Sequence, residues 1–347
     1  MLANLIIKPG RTELRQIETP KPSRGEILIK IRAALTCGTD LKAFKRGHPM
    51  IPMPGIFGHE FSGIVAAIGK GVKGFKEGDE IMSVHSAPCL ECRYCEKRLF
   101  NLCEKIMDSK VLGAFAEYIL LPPHIVRQNV LHKPKNLSFE EAAFLEPLSC
   151  VVHSVEPLGI RKGDNALIIG AGPIGLLHLL LLKEKGAKVA ITDKHINKLQ
   201  LAKKLGADFA FKPEKIEQKI IPPRPPLEKG GWGDFIGFDY VFECTGIPDV
   251  WEKSVNYVRR GGTVILFGGC KSGSTVTYDT GKLHYDEITL KGVFHFTPGD
   301  IKKAYKLLCE RKLQVSMLIT GSYPLRHIQK AFDKLAKGVG IKYAIIP

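Results

Sequence analysis

Asn165-Ala166-Leu167-Ile168-Ile169 runs straight into Gly170-Ala171-Gly172-Pro173-Ile174-Gly175, and an apolar run, Ile174–Leu182, follows. A short apolar strand, a G-x-G-x-x-G turn and an apolar helix in that order are the setting in which a glycine fingerprint binds a dinucleotide. Gly170 permits the tight turn, Gly172 lets a pyrophosphate approach the backbone, and Gly175 lets helix and strand pack closely. The helix N-terminus offers unpaired N–H groups and a positive dipole end to the phosphates. Pro173 suits the first helical turn, where its missing N–H is not needed. Asp193 ends the next apolar strand, eighteen positions after Gly175. A carboxylate there accepts the ribose hydroxyls and repels a 2′-phosphate, which favours NAD over NADP. Lys194, His195 and Lys198 follow at once and soften that preference.

Outward from the fingerprint, strands and helices alternate. A helix is expected around Leu148–Glu156, strands at Asn165–Ile169, Lys188–Thr192, Asp208–Phe211, Tyr240–Glu243 and Thr263–Phe267, and helices at Ile196–Leu205 and Asp249–Arg259. This rhythm implies βαβ units and an α/β fold with a parallel, doubly wound sheet. The first 150 residues differ. Short β-like runs at Asn4–Ile7, Glu26–Ala33, Phe61–Ile68 and Ala116–Leu121 are separated by Lys8-Pro9-Gly10, Gly69-Lys70-Gly71 and Glu77-Gly78-Asp79, the pattern of a strand-rich, barrel-like domain. The tail returns to mixed structure, with helices at Asp300–Arg311 and Ile328–Ala336. Lys212–Gly237, with Pro222, Pro223, Pro225, Pro226 and its glycines, reads as an exposed, partly extended loop.

Length and composition bound the function classes. The 347 residues suggest about two domains. The 44% hydrophobic and 25% charged content is ordinary for a globular chain and excludes a disordered or collagenous one. The longest apolar run is interrupted by His178 and is too short to span a bilayer. Met1–Gly10 lacks the layout of a signal peptide, so a cytoplasmic protein without a membrane partner is expected. The net charge is +16, but the basic residues are scattered, and the densest stretch, Lys183–Lys204, reads as a solvated face.

Nine cysteines carry more information. Cys89, Cys92, Cys95 and Cys103 fall within fifteen positions, and four thiolates at this spacing can wrap one ion tetrahedrally. Zinc is the natural occupant, an iron–sulfur cluster being the rival. All four positions are sulfur, so no place stays open for a substrate and the role is structural. A second set is dispersed: Cys37 in Thr36-Cys37-Gly38-Thr39-Asp40, His59 and Glu60 in Gly58-His59-Glu60, and Glu146 in Leu145-Glu146-Pro147-Leu148-Ser149. Taken singly, each has an ordinary explanation as a core thiol or a turn residue, and spacing alone does not bring them together.

Cys-Gly-Thr-Asp, Gly-His-Glu, the four-cysteine lobe, Glu-Pro-Leu-Ser and the glycine fingerprint follow one another in an order that resembles the zinc-dependent medium-chain alcohol and polyol dehydrogenases. The likeness spans nearly the whole chain and is nearest to the sorbitol and threonine dehydrogenase branch, because Glu146 stands where classical alcohol dehydrogenases carry a cysteine. The resemblance implies a GroES-like β-barrel catalytic domain, 1–148 and 288–347, with a structural zinc lobe at 89–103. A Rossmann cofactor domain, 149–287, is inserted in it, with the active site in the cleft. It further implies that Cys37 and His59 bind a catalytic zinc, with Glu146 as third ligand, directly or through water, and that Glu60 approaches the metal when its shell exchanges. Asp40 would fix the His59 tautomer and Thr39 would pass the substrate proton outward; the family often ends this relay in a histidine where this chain has Lys42. The nicotinamide half would lie near Glu243-Cys244-Thr245-Gly246, Phe267-Gly268-Gly269 and Gly292-Val293-Phe294-His295, with Ile174 on the fingerprint helix.

His295 offers a donor to a polyol hydroxyl or is an ordinary surface histidine. Phe57 and Phe115 line the pocket or, more in keeping with strand-rich sequence, fill the core. Cys150, Cys244, Cys270 and Cys309 are expected to be buried thiols. The chemistry expected is hydride transfer from a secondary alcohol to NAD, with two zinc ions per chain. A zinc held by three protein ligands keeps one place for water or substrate and acidifies what binds there. A threonine 3-dehydrogenase is the alternative, although no cation for the substrate carboxylate is evident. A zinc-ribbon nucleic-acid binder is a distant third, supported only by Arg93, Tyr94, Lys97, Arg98 and Phe100. The partners expected are a small alcohol and other copies of the chain, as a dimer or tetramer.

Overall fold

The computed structural model describes residues 1–216 and 237–347. Most of the proline-rich stretch, residues 217–236, therefore lies outside the described residues. The chain divides into two compact units, Met1–Val152 with His295–Pro347, and His153–Phe294.

In the first unit, β1 (Leu2–Lys8), β2 (Arg11–Gln16) and β4 (Gly55–Ile56) form a small sheet in the order β2-β1-β4. A larger sheet joins β3 (Ile27–Leu35), β5 (Glu60–Ile68), β6 (Glu80–Ser83), β8 (Val130–His132), β15 (Ile319–Pro324) and β16 (Lys342–Ile346) in the order β15-β16-β3-β5-β6-β8. A further strand, β7 (Tyr118–Leu121), pairs with β3. The strands nearest the chemistry alternate only loosely, because much of each lies buried. Ile27, Ile29 and Ile31 of β3 meet Phe61 and Val65 of β5 in a core that also takes Phe57, Phe115 and Phe332. Phe57 and Phe115 pack edge to face at 4.8 Å between ring centroids and are core residues. The register carries β5 and β16 onto the two edges of β3: Leu35 pairs with Glu60 on one side and with Ala344 on the other. Lys342, two residues from Ala344, projects from the same face as Ala344.

In the second unit, the strands β9 (Asn165–Ile169), β10 (Lys188–Thr192), β11 (Phe209–Phe211), β12 (Phe238–Glu243), β13 (Val258–Leu266) and β14 (Thr289–Gly292) build a parallel sheet in the order β11-β10-β9-β12-β13-β14. Central strands read as unbroken apolar runs because both faces are covered. The order reverses beside β9, and β9 leads into the fingerprint turn, the place where doubly wound sheets bind ligands. One expectation is corrected here. The helix expected over Asp249–Arg259 spans Pro248–Ser254, and Val258 already belongs to β13, in register with Phe238. Tyr257 and Val258 are buried against the sheet, and that packing outweighs any helical pattern.

Candidate active site

The first unit gathers its dispersed motifs. Cys37 precedes the helix Gly38–Arg46, and its Sγ accepts the Thr39 N–H at 3.4 Å. His59 and Glu60 lead into β5, and Cys37, His59 and Glu60 bring one donor atom each within 4.8 Å of one another. Asp40 is fully buried, with its Oδ1 3.4 Å from His59 Nδ1. Glu146 begins the helix Leu145–Val155 and is not among those three donors. Its Oε1 lies 3.5 Å from His85 Nδ1 and accepts from Cys150 Sγ at 3.9 Å. Lys42 is half-buried on the Gly38–Arg46 helix.

Sequence reasoning did not find Lys342. Its Nζ is buried in β16 and donates to Glu60 Oε2 and, at 2.9 Å, to the carbonyl of Thr36. The only signal was a lysine inside the apolar run Ile341–Ile345. His85 and Ser86 were missed as well, because no motif covers them.

The electrostatics favour a cation. Burial works against a charged His59, yet the carboxylate of Asp40 and the sulfur of Cys37 hold its pKa well above the usual imidazole value. Burial raises the pKa of Glu60 although Lys342 opposes it, and burial pushes Glu146 up to about 7. Both Asp40 oxygens and Glu60 Oε1 are buried without a hydrogen-bond partner among the described residues. One thiol, one imidazole and a cluster of carboxyl groups with unspent acceptor capacity fit a divalent ion such as zinc.

The cysteine lobe fits a second ion. The sulfur atoms of Cys89, Cys92, Cys95 and Cys103 all lie within 4.8 Å of one another, and the Cys89 N–H donates to Cys103 Sγ at 3.3 Å. Backbone N–H groups lower the Cys92 thiol to about 6, and burial raises Cys95 to about 12. Cys150, Cys244, Cys270 and Cys309 are free but half-buried rather than buried as expected: Cys150 lies within the helix Leu145–Val155, Cys244 just after β12, Cys270 in the loop after β13, and Cys309 at the end of the helix Pro298–Cys309.

In the second unit the glycines differ in what they do. Gly170 has φ +105°, in the left-handed region open to glycine. A Cβ on Gly175 would stand 1.9 Å from the Gly170 carbonyl oxygen, whereas one on Gly172 would meet nothing within 4 Å. Pro173 opens the helix Pro173–Glu184, and the Ile174 carbonyl accepts from His178 Nδ1 at 2.9 Å. Asp193 Oδ2 accepts the Ala171 N–H and its Oδ1 the His195 N–H, each at 2.9 Å, which ties the end of β10 to the glycine turn. Lys198 is half-buried on the next helix.

Glu243, fully buried, accepts from the N–H groups of Thr245 at 2.7 Å and Gly246 at 3.2 Å, and so shapes the loop after β12. Gly268 packs so closely on Gly246 that a Cβ would stand 2.3 Å from its nitrogen. The Phe267 ring meets His178 edge to face at 5.0 Å, and Cys244 Sγ lies 3.9 Å from His178 Nδ1. Val293 is half-buried and Phe294 is exposed.

Comparison with known proteins agrees with this chemistry. A family model described as the alcohol dehydrogenase GroES-like domain matches residues 23–133, and one described as zinc-binding dehydrogenase matches residues 173–310. The sorbitol dehydrogenase of Halalkalibacterium halodurans is 30% identical, over 97% of this chain and 96% of that protein. The D-arabitol-phosphate dehydrogenase of Enterococcus avium is 33% identical, over 97% and 95%. The chain belongs to the zinc-dependent medium-chain alcohol and polyol dehydrogenases.

This dehydrogenase is an oxidoreductase built from a GroES-like domain and a Rossmann domain. A crystal structure from Sinorhizobium meliloti 1021 with NADP bound superposes with a TM-score of 0.88 at 28% identity, covering 100% of this chain and 99% of that one. The alcohol dehydrogenase of Thermus sp. ATN1 superposes with a TM-score of 0.87 at 25% identity, with the same coverage. The family assignment leaves no ground for the nucleic-acid reading. The relatives named above do not favour the threonine alternative. Among the described residues, no helix of the dehydrogenase is long and apolar enough to cross a membrane.

Proposed function

We propose that this dehydrogenase oxidises a secondary carbinol of a polyol to a ketone with NAD, and that it binds one catalytic and one structural zinc per chain. The observation that carries the reading is the convergence of Cys37, His59 and Glu60 from separate motifs into one donor cluster. These three residues would hold the catalytic ion, with Glu146 close enough to His85 to share the site's hydrogen bonding. Cys89, Cys92, Cys95 and Cys103 would hold the other. Zinc, when bound, supplies Lewis-acid polarisation of an alcohol or ketone oxygen.

The chain's own residues do the rest. Asp40 sets the orientation of the His59 ring, a common partnership for a ligating imidazole. Lys342 holds Glu60 by one oxygen and leaves the other free. The Thr39 hydroxyl would pass the alcohol proton outward, and Lys42 stands where the family often places the histidine that follows it. NAD, when bound, would supply the acceptor for the hydride of the carbinol C–H bond. Asp193 supports the preference for NAD, because a 2′-phosphate would meet its charge. The relatives named for sorbitol and for D-arabitol phosphate support a polyol as substrate class. A cytoplasmic homo-oligomer, dimer or tetramer, completes the proposal.

A metal count with a substrate screen tests it. Two zinc ions per chain are expected, with turnover of polyols such as sorbitol and a kcat/KM for NAD at least about tenfold above that for NADP, a difference of about 1.4 kcal/mol. Fewer than two zinc ions would remove the site assignments, and absence of nicotinamide turnover on every polyol and alcohol tried would remove the function.

A further inference from the structure

Three polar side chains beside the donor cluster, His85, Ser86 and His295, hold no candidate metal and carry no step of the chemistry above. His85 lies in the short segment after β6, its ring 5.1 Å from that of His59 and 5.4 Å from that of His295, centroid to centroid. Its Nδ1 is buried and has no hydrogen-bond partner among the described residues; Glu146 Oε1, at 3.5 Å, is the near acceptor. Next to it, Ser86 Oγ lies 2.6 Å from His295 Nε2. His295 stacks on Phe296 at 4.0 Å and holds a positive φ of 63°, a backbone state that a non-glycine residue adopts only when its surroundings impose it.

The segment is fixed from both sides. The Val111 N–H donates to the His85 carbonyl at 2.8 Å, and Asn129 Nδ2 donates to the Ser86 carbonyl at 2.7 Å. A buried ring nitrogen left without a partner is destabilising, so a fixed segment that presents one is suited to a ligand that satisfies it. Imidazole and hydroxyl groups both donate and accept, which is the chemistry a hydroxyl group matches. The Glu146 carboxyl on the same side disfavours a phosphate there.

We propose that His85, Ser86 and His295 form a substrate-recognition subsite that takes an uncharged hydroxyl next to the reacting carbinol, and so sets a preference for polyols over simple alcohols. The proposal rests on the polyol reading above and names the residues that enforce it. A site built to hydrogen-bond a hydroxyl rejects an analogue that lacks it, because its own polar groups are then left unpaired.

The test compares zinc-loaded full-length protein with H85F, H85N and S86A on sorbitol and 2-butanol. H85F fills the space with an apolar ring. The ratio of kcat/KM for sorbitol to that for 2-butanol should fall about tenfold or more, equivalent to about 1.4 kcal/mol, mainly through KM. H85N, which keeps a donor and an acceptor, should recover part of it, and S86A should lower the ratio by a smaller factor. Calorimetric binding of sorbitol should weaken in parallel while the zinc content stays at the wild-type value. If H85F does not fold, S86A and H85N carry the test. Variants that oxidise sorbitol at the wild-type ratio would overturn the subsite and leave the polyol function standing. A wild-type protein that oxidises 2-butanol but no polyol would overturn the function reading and the subsite with it.

Discussion

Gly172 and Gly175 stand three residues apart in one turn and are glycine for different reasons. A Cβ on Gly175 would overlap the Gly170 carbonyl oxygen at 1.9 Å, so that glycine serves the packing of helix on strand. Gly172 has φ −75° and ψ −178°, extended backbone that any residue adopts, and a Cβ there meets nothing within 4 Å. The protein itself does not need glycine at 172; the proposed pyrophosphate would. Gly175→Ala should therefore lower stability by about 2 kcal/mol or more, as overpacking does. Gly172→Ala should stay within about 1 kcal/mol of wild type and weaken NAD binding at least about tenfold. Chemical denaturation and NAD titration of the two variants separate these outcomes. If Gly172→Ala bound NAD as tightly as wild type, no phosphate would lie against that residue. Lys342 shows the opposite situation, a residue no motif announces. Removing one partner of a buried ion pair strands the other, which is why a lysine persists in an otherwise apolar strand.

The helix Pro173–Glu184 is buried along almost its whole length, and His178 sits in the middle of it with no exposed surface. Its Nε2 meets Ser154 Oγ at 2.7 Å and its Nδ1 meets the Ile174 carbonyl. Burial lowers its pKa to about 4, from an ordinary value of 6.5. The folded chain thus holds a neutral ring while the unfolded chain takes up a proton below pH 6.5. The stabilisation is complete above that pH and is lost as pH falls from 6.5 toward 4. The shift corresponds to about 3 kcal/mol. Denaturation midpoints across pH 4–8 should show this acid loss, and His178→Leu should flatten it; an unchanged slope would mean that His178 is protonated in the fold.

At this scale the parallel sheet was legible because its central strands are continuous apolar runs with helices between them. The boundary near Ser254 was not, because Tyr257 and Val258 join β13 through contacts distant in sequence. In the first unit β1, β3, β5 and β7 were legible one by one, but the other strands and all the partners were not: nothing local in Ala344 announces its pairing with Leu35.

The two units hold their chemistry on different principles. Each has its own apolar core, but the cysteine lobe does not draw on either. Its interior is Cys92, Cys95, Cys103 and Ile106, with Cys89, Phe100 and Met107 packed around them. Leu90, Tyr94, Leu99 and Leu102 face outward. So small an interior cannot offset the entropy of ordering the segment, and on the proposed reading metal binding would supply the folding energy of the lobe. The four sulfurs were legible because their spacing is local. The dispersed cluster became legible only through the order of its motifs, since Cys37, His59, Glu60 and Lys342 meet through strand register. Hydrogen exchange follows both sites together. Stripping zinc with a chelator should speed exchange first over residues 89–106, then over 36–60, and leave 165–198 at its original rate. Adding NAD to the zinc-loaded protein should slow exchange at 170–175 and 243–246, because a ligand that binds only the folded state suppresses local opening. If chelation loosened the glycine turn as much as the lobe, the metal would be holding the whole chain and not the first unit's sites.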